Sequence, residues 1–138
     1  MTGAFITFEG GEGSGKSTQV KMLAAAFEKA GKPSVITREP GGTESAERIR
    51  DLVVKGSKDA WLPESETLLF FAARMEHVKR LIQPALLEGK IVICDRFSDS
   101  TRVYQGIGKG INEVFIDELH RLCFEDFAPT LTFVMDID

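Results

Sequence analysis

The sequence predicts an α/β fold of three layers, a parallel sheet with helices on both faces. Three observations carry this. A short apolar run, Ala4-Phe5-Ile6-Thr7-Phe8, passes straight into Gly10-Gly11-Glu12-Gly13-Ser14-Gly15-Lys16-Ser17, and an amphipathic stretch follows. A second apolar run, Val35-Ile36-Thr37, comes next. This strand–helix–strand order closes by a right-handed crossover and pairs its strands in parallel. A third run, Ile91-Val92-Ile93-Cys94, is apolar without alternation, as expected for a strand covered on both faces. With 138 residues the chain is expected to form one domain, 1–138, large enough for a true core, without internal repeat, linker or low-complexity segment.

Apolar residues make up 43% and charged residues 28%, ordinary values for a globular protein. The net charge of −4 offers no basic surface to a nucleic-acid polymer, so an anionic ligand must be held by local Lys and Arg residues. No apolar run approaches the length of a membrane span and no charged-then-apolar leader precedes the first strand, so a cytoplasmic protein without membrane contact is expected. Cys94 and Cys123 lie far apart in apolar runs and lack metal-ligand spacing, which predicts buried, reduced thiols.

The first strand spans 4–8, being short, apolar and aromatic-rich. The following G-x-x-x-x-G-K-S, set between strand and helix, has the pattern of a phosphate-binding loop. Its glycines let several backbone N–H groups turn towards one anion, and a helix beginning near Lys16 adds the positive end of its dipole. Lys16 is expected to reach β- and γ-phosphates, and the Ser17 hydroxyl to ligate Mg²⁺. Val20, Leu23, Ala24 and Phe27 recur at helical spacing until Gly31 and Pro33 stop the helix.

After the strand over 35–37, Arg38-Glu39-Pro40-Gly41-Gly42-Thr43 contains a Pro-Gly-Gly turn on the sheet edge that carries the phosphate loop. Position alone leaves Arg38 between a ligand contact and a solvated charge. Thr43 is expected to cap a helix carrying Ala46, Ile49, Leu52 and Val53; Arg50 belongs to it, without a role that pattern assigns. A polar connection over 55–59 leads to Pro63, suited to a first helical turn. The long helix that follows has an apolar stripe of Leu68, Phe71, Met75, Val78 and Ile82. Phe70 and Arg74 share a face about 100° away, where a ring and a guanidinium side by side suit a flat base. Pattern alone favours a second packing surface with a solvated Arg. Pro84 should kink or break the helix near its end, and Gly89-Lys90 close it.

The strand over 91–94 ends in Asp95-Arg96. Asp95 is placed to hold Mg²⁺, directly or through water, and Arg96 to clamp a phosphate. A polar segment over 98–105 ends in Tyr104-Gln105, and Gly106, Gly108 and Gly110 make a flexible stretch. Asn112 caps a helix bearing Phe115, Ile116, Leu119, Leu122 and Cys123, and a fourth strand spans 131–135, ending at Asp136. His77 and His120 stand isolated on helices and are assigned to structure or solvent.

Four motifs now combine in order: the loop over 10–17, Thr37-Arg38-Glu39-Pro40-Gly41-Gly42-Thr43, Phe70-Phe71-Ala72-Ala73-Arg74, and Asp95-Arg96-Phe97-x-x-Ser100-Thr101-x-x-Tyr104-Gln105. Together they resemble the bacterial thymidylate kinase family of P-loop NTPase fold, across the whole chain. Val103 stands where that family usually has alanine, a small departure between apolar residues. The resemblance implies transfer of the ATP γ-phosphoryl group to dTMP, giving dTDP and ADP, in dTTP biosynthesis. It also implies Mg²⁺ and a homodimer. By that resemblance Gly10, Gly11, Glu12, Gly13, Ser14, Gly15, Lys16, Ser17 and Thr18 bind the ATP phosphates, and Ser17 and Asp95 the metal. Phe70 stacks on thymine, Arg74 and Thr101 bond its edge, and Tyr104 lies against C2′ of the sugar. Glu12 lies near the 3′-hydroxyl, Arg38 and Arg96 hold the acceptor phosphate, and Arg50, Ser100 and Gln105 complete the dTMP set. Lys16, Arg96, Glu12 and Arg38 form the implied catalytic group. An acceptor phosphate is already largely ionised at neutral pH, so no general base is required.

No arginine lies between Gly10 and Lys16. The resemblance therefore implies a further arginine on a mobile lid beyond Asp138, with another strand and helices, and a stretch 1–138 that is C-terminally incomplete and a very poor kinase alone. The competing readings are another nucleoside monophosphate kinase with the same loop, separable by acceptor substitution, and a non-catalytic nucleotide-binding module, separable by comparing affinity with turnover. A switch GTPase is disfavoured because no N-K-x-D segment is present.

Overall fold

A computed structural model describes residues 3–57 and 59–136. Lys58, in the expected polar connection, and Asp138 fall outside these. Strand β1 (Ala4–Glu9) leads to helix α1 (Lys16–Lys29), β2 (Ser34–Arg38) and α2 (Glu44–Val54). Helix α3 (Pro63–His77) continues through a π-helical turn (Val78–Ile82) into α4 (Gln83–Leu87). Then come β3 (Ile91–Asp95), a short α5 (Ser98–Thr101), a second π-helical turn (Arg102–Ile107), α6 (Glu113–Phe124) and β4 (Leu131–Val134).

The strands form one parallel sheet in the order β2-β3-β1-β4. The two most apolar strands, β1 and β3, lie side by side in its middle, with Phe5 opposite Val92 and Ile6 opposite Ile93. Successive side chains of a strand point to opposite faces, so each strand serves two cores. On one face Ile6, Phe8, Ile91 and Ile93 pack with Val20, flanked by Leu23, Ala24 and Phe27 of α1. On the other, Phe5, Val92 and Cys94 join Phe71, Val78, Ile82, Leu86 and Phe124 from the helices following β2 and β3. The carboxyl ends of β1, β2 and β3 lie along one edge, where the loops after them meet.

Several expectations needed correction. Leu68 is 49% exposed, because the buried face of α3 runs through Thr67, Phe71, Arg74, His77 and Val78. Leu68 stands about 100° from Thr67, so counting only apolar residues displaced the stripe. Leu122 on α6 and Ile36 on the edge strand β2 are likewise exposed, and Cys123 is half-buried rather than buried; both cysteines are free. Pro84 breaks nothing: the ladder widens over Val78–Ile82 before the residue that has no N–H to give, and α4 continues with Pro84 in its first turn. The segment read as polar and flexible coils into α5 and the second π-helical turn. The fourth strand ends at Val134. Thr43 and Asn112 do cap α2 and α6, accepting from the N–H groups of Ala46 and Val114.

Candidate active site

The loop after β1 folds as its glycines allow. Gly10, at φ 144°, approaches β4 so closely that a Cβ there would lie 2.8 Å from the Met135 carbonyl oxygen. Gly13 and Gly15 have φ values of 73° and 91°. Lys16 is buried, and its Nζ donates to the carbonyl oxygens of Gly10 and Gly11 at 3.0 Å each. The ammonium is thus held over its own loop at the head of α1. Ser14 Oγ is buried without a partner among the described residues, while Ser17 and Thr18 are exposed in the first turn.

Asp95 ends β3 beside this helix head. Its Oδ1 is buried and has no partner among the described residues, and Asp95 lines a small cavity of about 290 Å³ together with Ser17. A lone carboxylate oxygen and a hydroxyl suit Mg²⁺, which keeps most of its shell for water and phosphate oxygens. Among the described residues no three His, Cys, Asp or Glu side chains gather, so a cage built from protein alone is not on offer.

A larger cavity of about 600 Å³ opens alongside. Every residue expected to hold the acceptor lines it: Glu12, Arg38, Arg50, Phe70, Arg74, Arg96, Ser100, Thr101, Tyr104 and Gln105. Arg74, read from pattern as a solvated charge, is only 4% exposed. Its Nε donates to Glu39 Oε1 at 2.6 Å, and its Nη2 to Thr101 Oγ1 at 2.7 Å and the Phe97 carbonyl at 3.3 Å. Nη1 is buried with no partner among the described residues. The guanidinium carbon lies 5.3 and 5.0 Å from the ring centroids of Phe71 and Phe97.

Arg96 has a φ of 72°, and its N–H donates to Phe8 O at 2.8 Å, tying the start of the α5 segment to β1. Its guanidinium donates to Tyr104 Oη at 3.1 Å and Glu12 Oε1 at 3.0 Å. Burial lowers the Arg96 pKa, but the bonds to Tyr104 and Glu12 outweigh it and raise it overall. Arg38 is exposed and paired with Glu47 at 3.0 Å, and Arg50 donates to Pro40 O at 2.8 Å. The Arg38 contact holds the Glu47 carboxyl below its usual range.

Sequence reasoning missed the groups behind these residues. Glu9 accepts from the N–H groups of Phe97 and Ser100 and from Ser100 Oγ, the last at 2.6 Å, so it fastens α5 to β1. Burial pushes its carboxyl upward against those bonds. Glu66 on α3 accepts from Gln105 Nε2 at 3.1 Å and Lys109 Nζ at 2.9 Å. Glu39 joins Arg74 to His77, which has partners after all: Nδ1 lies 2.8 Å from Glu39 Oε2 and Nε2 lies 2.6 Å from Thr37 Oγ1. His120 Nε2 lies 3.0 Å from the Phe127 carbonyl oxygen. The only sequence signal for Glu9 and Glu39 was that acidic residues follow buried strands at the edge where ligands bind.

Loop, helix head and sheet edge together place the chain among P-loop NTPase folds. The family model described as thymidylate kinase matches residues 8–138, and the chain belongs to that family. It is 53% identical over 137 residues to the thymidylate kinase of Ruegeria pomeroyi, covering 99% of this chain and 64% of that one. It is 54% identical over 135 residues to that of Dinoroseobacter shibae, covering 98% and 65%. The chain therefore spans just under two-thirds of the length of these relatives. The crystal structure of thymidylate kinase from Ehrlichia chaffeensis superposes with a TM-score of 0.88 at 45% identity, covering 99% of this chain and 72% of that one. No helix among the described residues is long and apolar enough to cross a membrane.

Proposed function

We propose that the protein transfers the γ-phosphoryl group of ATP to dTMP, giving dTDP and ADP. The observation that carries this reading is the 600 Å³ cavity beside the phosphate loop, where Phe70 offers a ring and Arg74 a buried, unpartnered N–H donor. The relatives' names support the same acceptor. An oxygen of the acceptor phosphate attacks the γ-phosphorus, a new P–O bond forms, and the bond to the β–γ bridging oxygen breaks with ADP leaving. Catalysis then rests on positioning and on neutralising charge.

Lys16 exchanges its two carbonyl contacts for phosphate oxygens, a charge-assisted bond replacing neutral ones. Arg38 and Arg96 hold the acceptor phosphate, Glu12 orients Arg96, and Arg50 fixes the turn after Arg38. The N–H groups of the loop from Gly10 to Ser17, with Thr18 behind them, cradle the donor phosphates. Phe70 stacks on the base, and Thr101, Ser100 and Gln105 set the near wall. Tyr104 packs against the deoxyribose. Ser17 and Asp95 would hold Mg²⁺, which neutralises charge on the phosphates when bound. By the same resemblance the working form is a cytoplasmic homodimer, and residues 1–138 act as one domain.

The test is a coupled ADP-release assay with dTMP, run beside calorimetric titrations of dTMP and ATP into wild type and Phe70→Ala. Stacking on a base is worth about 1–3 kcal/mol, so Phe70→Ala should weaken dTMP by that amount and leave ATP unchanged. Equal weakening of both ligands would show general damage, and an unchanged dTMP affinity would return Phe70 to packing.

A further inference from the structure

Buried among Thr37, Glu39 and the Pro-Gly-Gly turn, His77 lines neither of the two cavities described above, yet it ends a chain of hydrogen bonds that reaches the larger one. An ionised carboxylate only accepts, so the bond to Glu39 Oε2 assigns the proton to Nδ1. Nε2 is hydrogen-bonded to the Thr37 hydroxyl at 2.6 Å. With its second oxygen so engaged, Glu39 presents Oε1 to Arg74 Nε. Thr101 and the Phe97 carbonyl take Nη2. A guanidinium is a rigid plane, so fixing Nε and Nη2 fixes the direction of Nη1, the donor left over.

The turn closes over the ring. Gly42 has φ 99°, and a Cβ there would overlap the His77 imidazole and lie 2.7 Å from Thr37 Oγ1. His77 therefore cannot touch a ligand, and anything it does to one passes through Glu39 and Arg74. We propose that His77 is a positioning residue for base recognition: by bridging Thr37 and Glu39 it holds the carboxylate that aims Arg74 Nη1 at the acceptor base. The identity of that base rests on the thymidylate reading; the hydrogen-bond chain does not.

The experiment compares His77→Asn, His77→Gln and His77→Phe in the complete protein. An Asn amide nitrogen reaches the place of Nδ1, a Gln amide only that of Nε2, and Phe fills the space without hydrogen-bonding groups. His77→Phe and His77→Gln should raise the dTMP dissociation constant about tenfold or more, whereas His77→Asn stays within about threefold of wild type, since a lost buried bond to a charged group carries the larger effect. ATP affinity should not move, and kcat should change less than KM. In long-range ¹⁵N NMR of the nucleotide-free wild type, His77 should show the Nδ1–H tautomer and Arg74 a protected Nε–H.

Wild-type dTMP affinity in folded His77→Phe, equal losses in the Asn and Gln variants, parallel losses of dTMP and ATP, or a neutral Nε2–H tautomer would each overturn the proposal. If His77→Phe does not fold, the Asn–Gln contrast and the tautomer decide. The NMR arm uses no nucleotide. If wild type favoured another nucleoside monophosphate, the thymidylate reading would fall, and the affinity arm would be read with that acceptor.

Discussion

Lys16 rests on two carbonyl oxygens of its own loop, contacts that a phosphate oxygen can replace with a stronger, charge-assisted one. Removing one such stabilising group from the transferred charge typically costs about 10²–10³ in rate. Lys16→Ala should therefore lower kcat by that order while its urea midpoint stays close to wild type. Turnover near normal would remove the lysine from the mechanism. Glu9 gives a prediction in pH. Its folded pKa is raised above the ordinary 4.5, so the native state holds the proton more tightly than the unfolded chain. Its contribution is full below that ordinary value and is lost as pH rises through the raised one. Relative to Glu9→Gln, wild type should lose stability in urea titrations over the pH interval above the ordinary carboxyl value of 4.5. A relative gain over that interval would contradict the burial argument. Lys16 and Ser17 were legible because their motif is contiguous. Phe70 and Arg74 were half legible, since helical spacing shows a shared face but not whether it meets solvent or a cavity. Glu39 and His77 are 38 residues apart, and Glu9 and Ser100 are 91 apart. No local pattern joins such pairs.

At the scale of elements, the strands and caps were readable and the wide helical turns were not. Ile91-Val92-Ile93-Cys94 can bury both faces only in the middle of a sheet, and Thr43 and Asn112 carry side-chain oxygens that cap helix starts. The turns over Val78–Ile82 and Arg102–Ile107 have no comparable signature, because an i→i+5 ladder uses the same residues as an ordinary helix. The second turn matters most, since it presents Tyr104 and Gln105 to the cavity. Both glycines of the Pro-Gly-Gly turn after β2 have positive φ, and Gly42 is the one that faces His77. Gly42→Ala would force a side chain into a positive φ and onto the His77 ring. A strained backbone of this kind costs about 1–3 kcal/mol. Chemical denaturation should show that loss, and dTMP affinity should fall with it. An unchanged midpoint with unchanged affinity would mean that the turn adapts freely.

The whole molecule is a parallel sheet with two cores and one working edge. Strand order was not legible, because β1 lies between β3 and β4 and only one neighbouring pair in the sheet, β2 and β3, is consecutive in sequence. Right-handed crossovers fixed the parallel sense without fixing the order. Even so, they required the loops after β1, β2 and β3 to share an edge, and that was enough to bring residues from positions 12 to 109 around one cavity. The central claim is that this cavity selects the acceptor base and that Arg74 does much of the selecting. The most direct measurement is kcat/KM for dTMP, dUMP, dCMP and dGMP in competition, with ATP and Mg²⁺, for wild type and Arg74→Ala of the complete protein. The account predicts that wild type prefers dTMP and that Arg74→Ala narrows the preference while ATP affinity holds. A wild type that favours another acceptor, or an Arg74→Ala variant with the wild-type order and ratios, would contradict it.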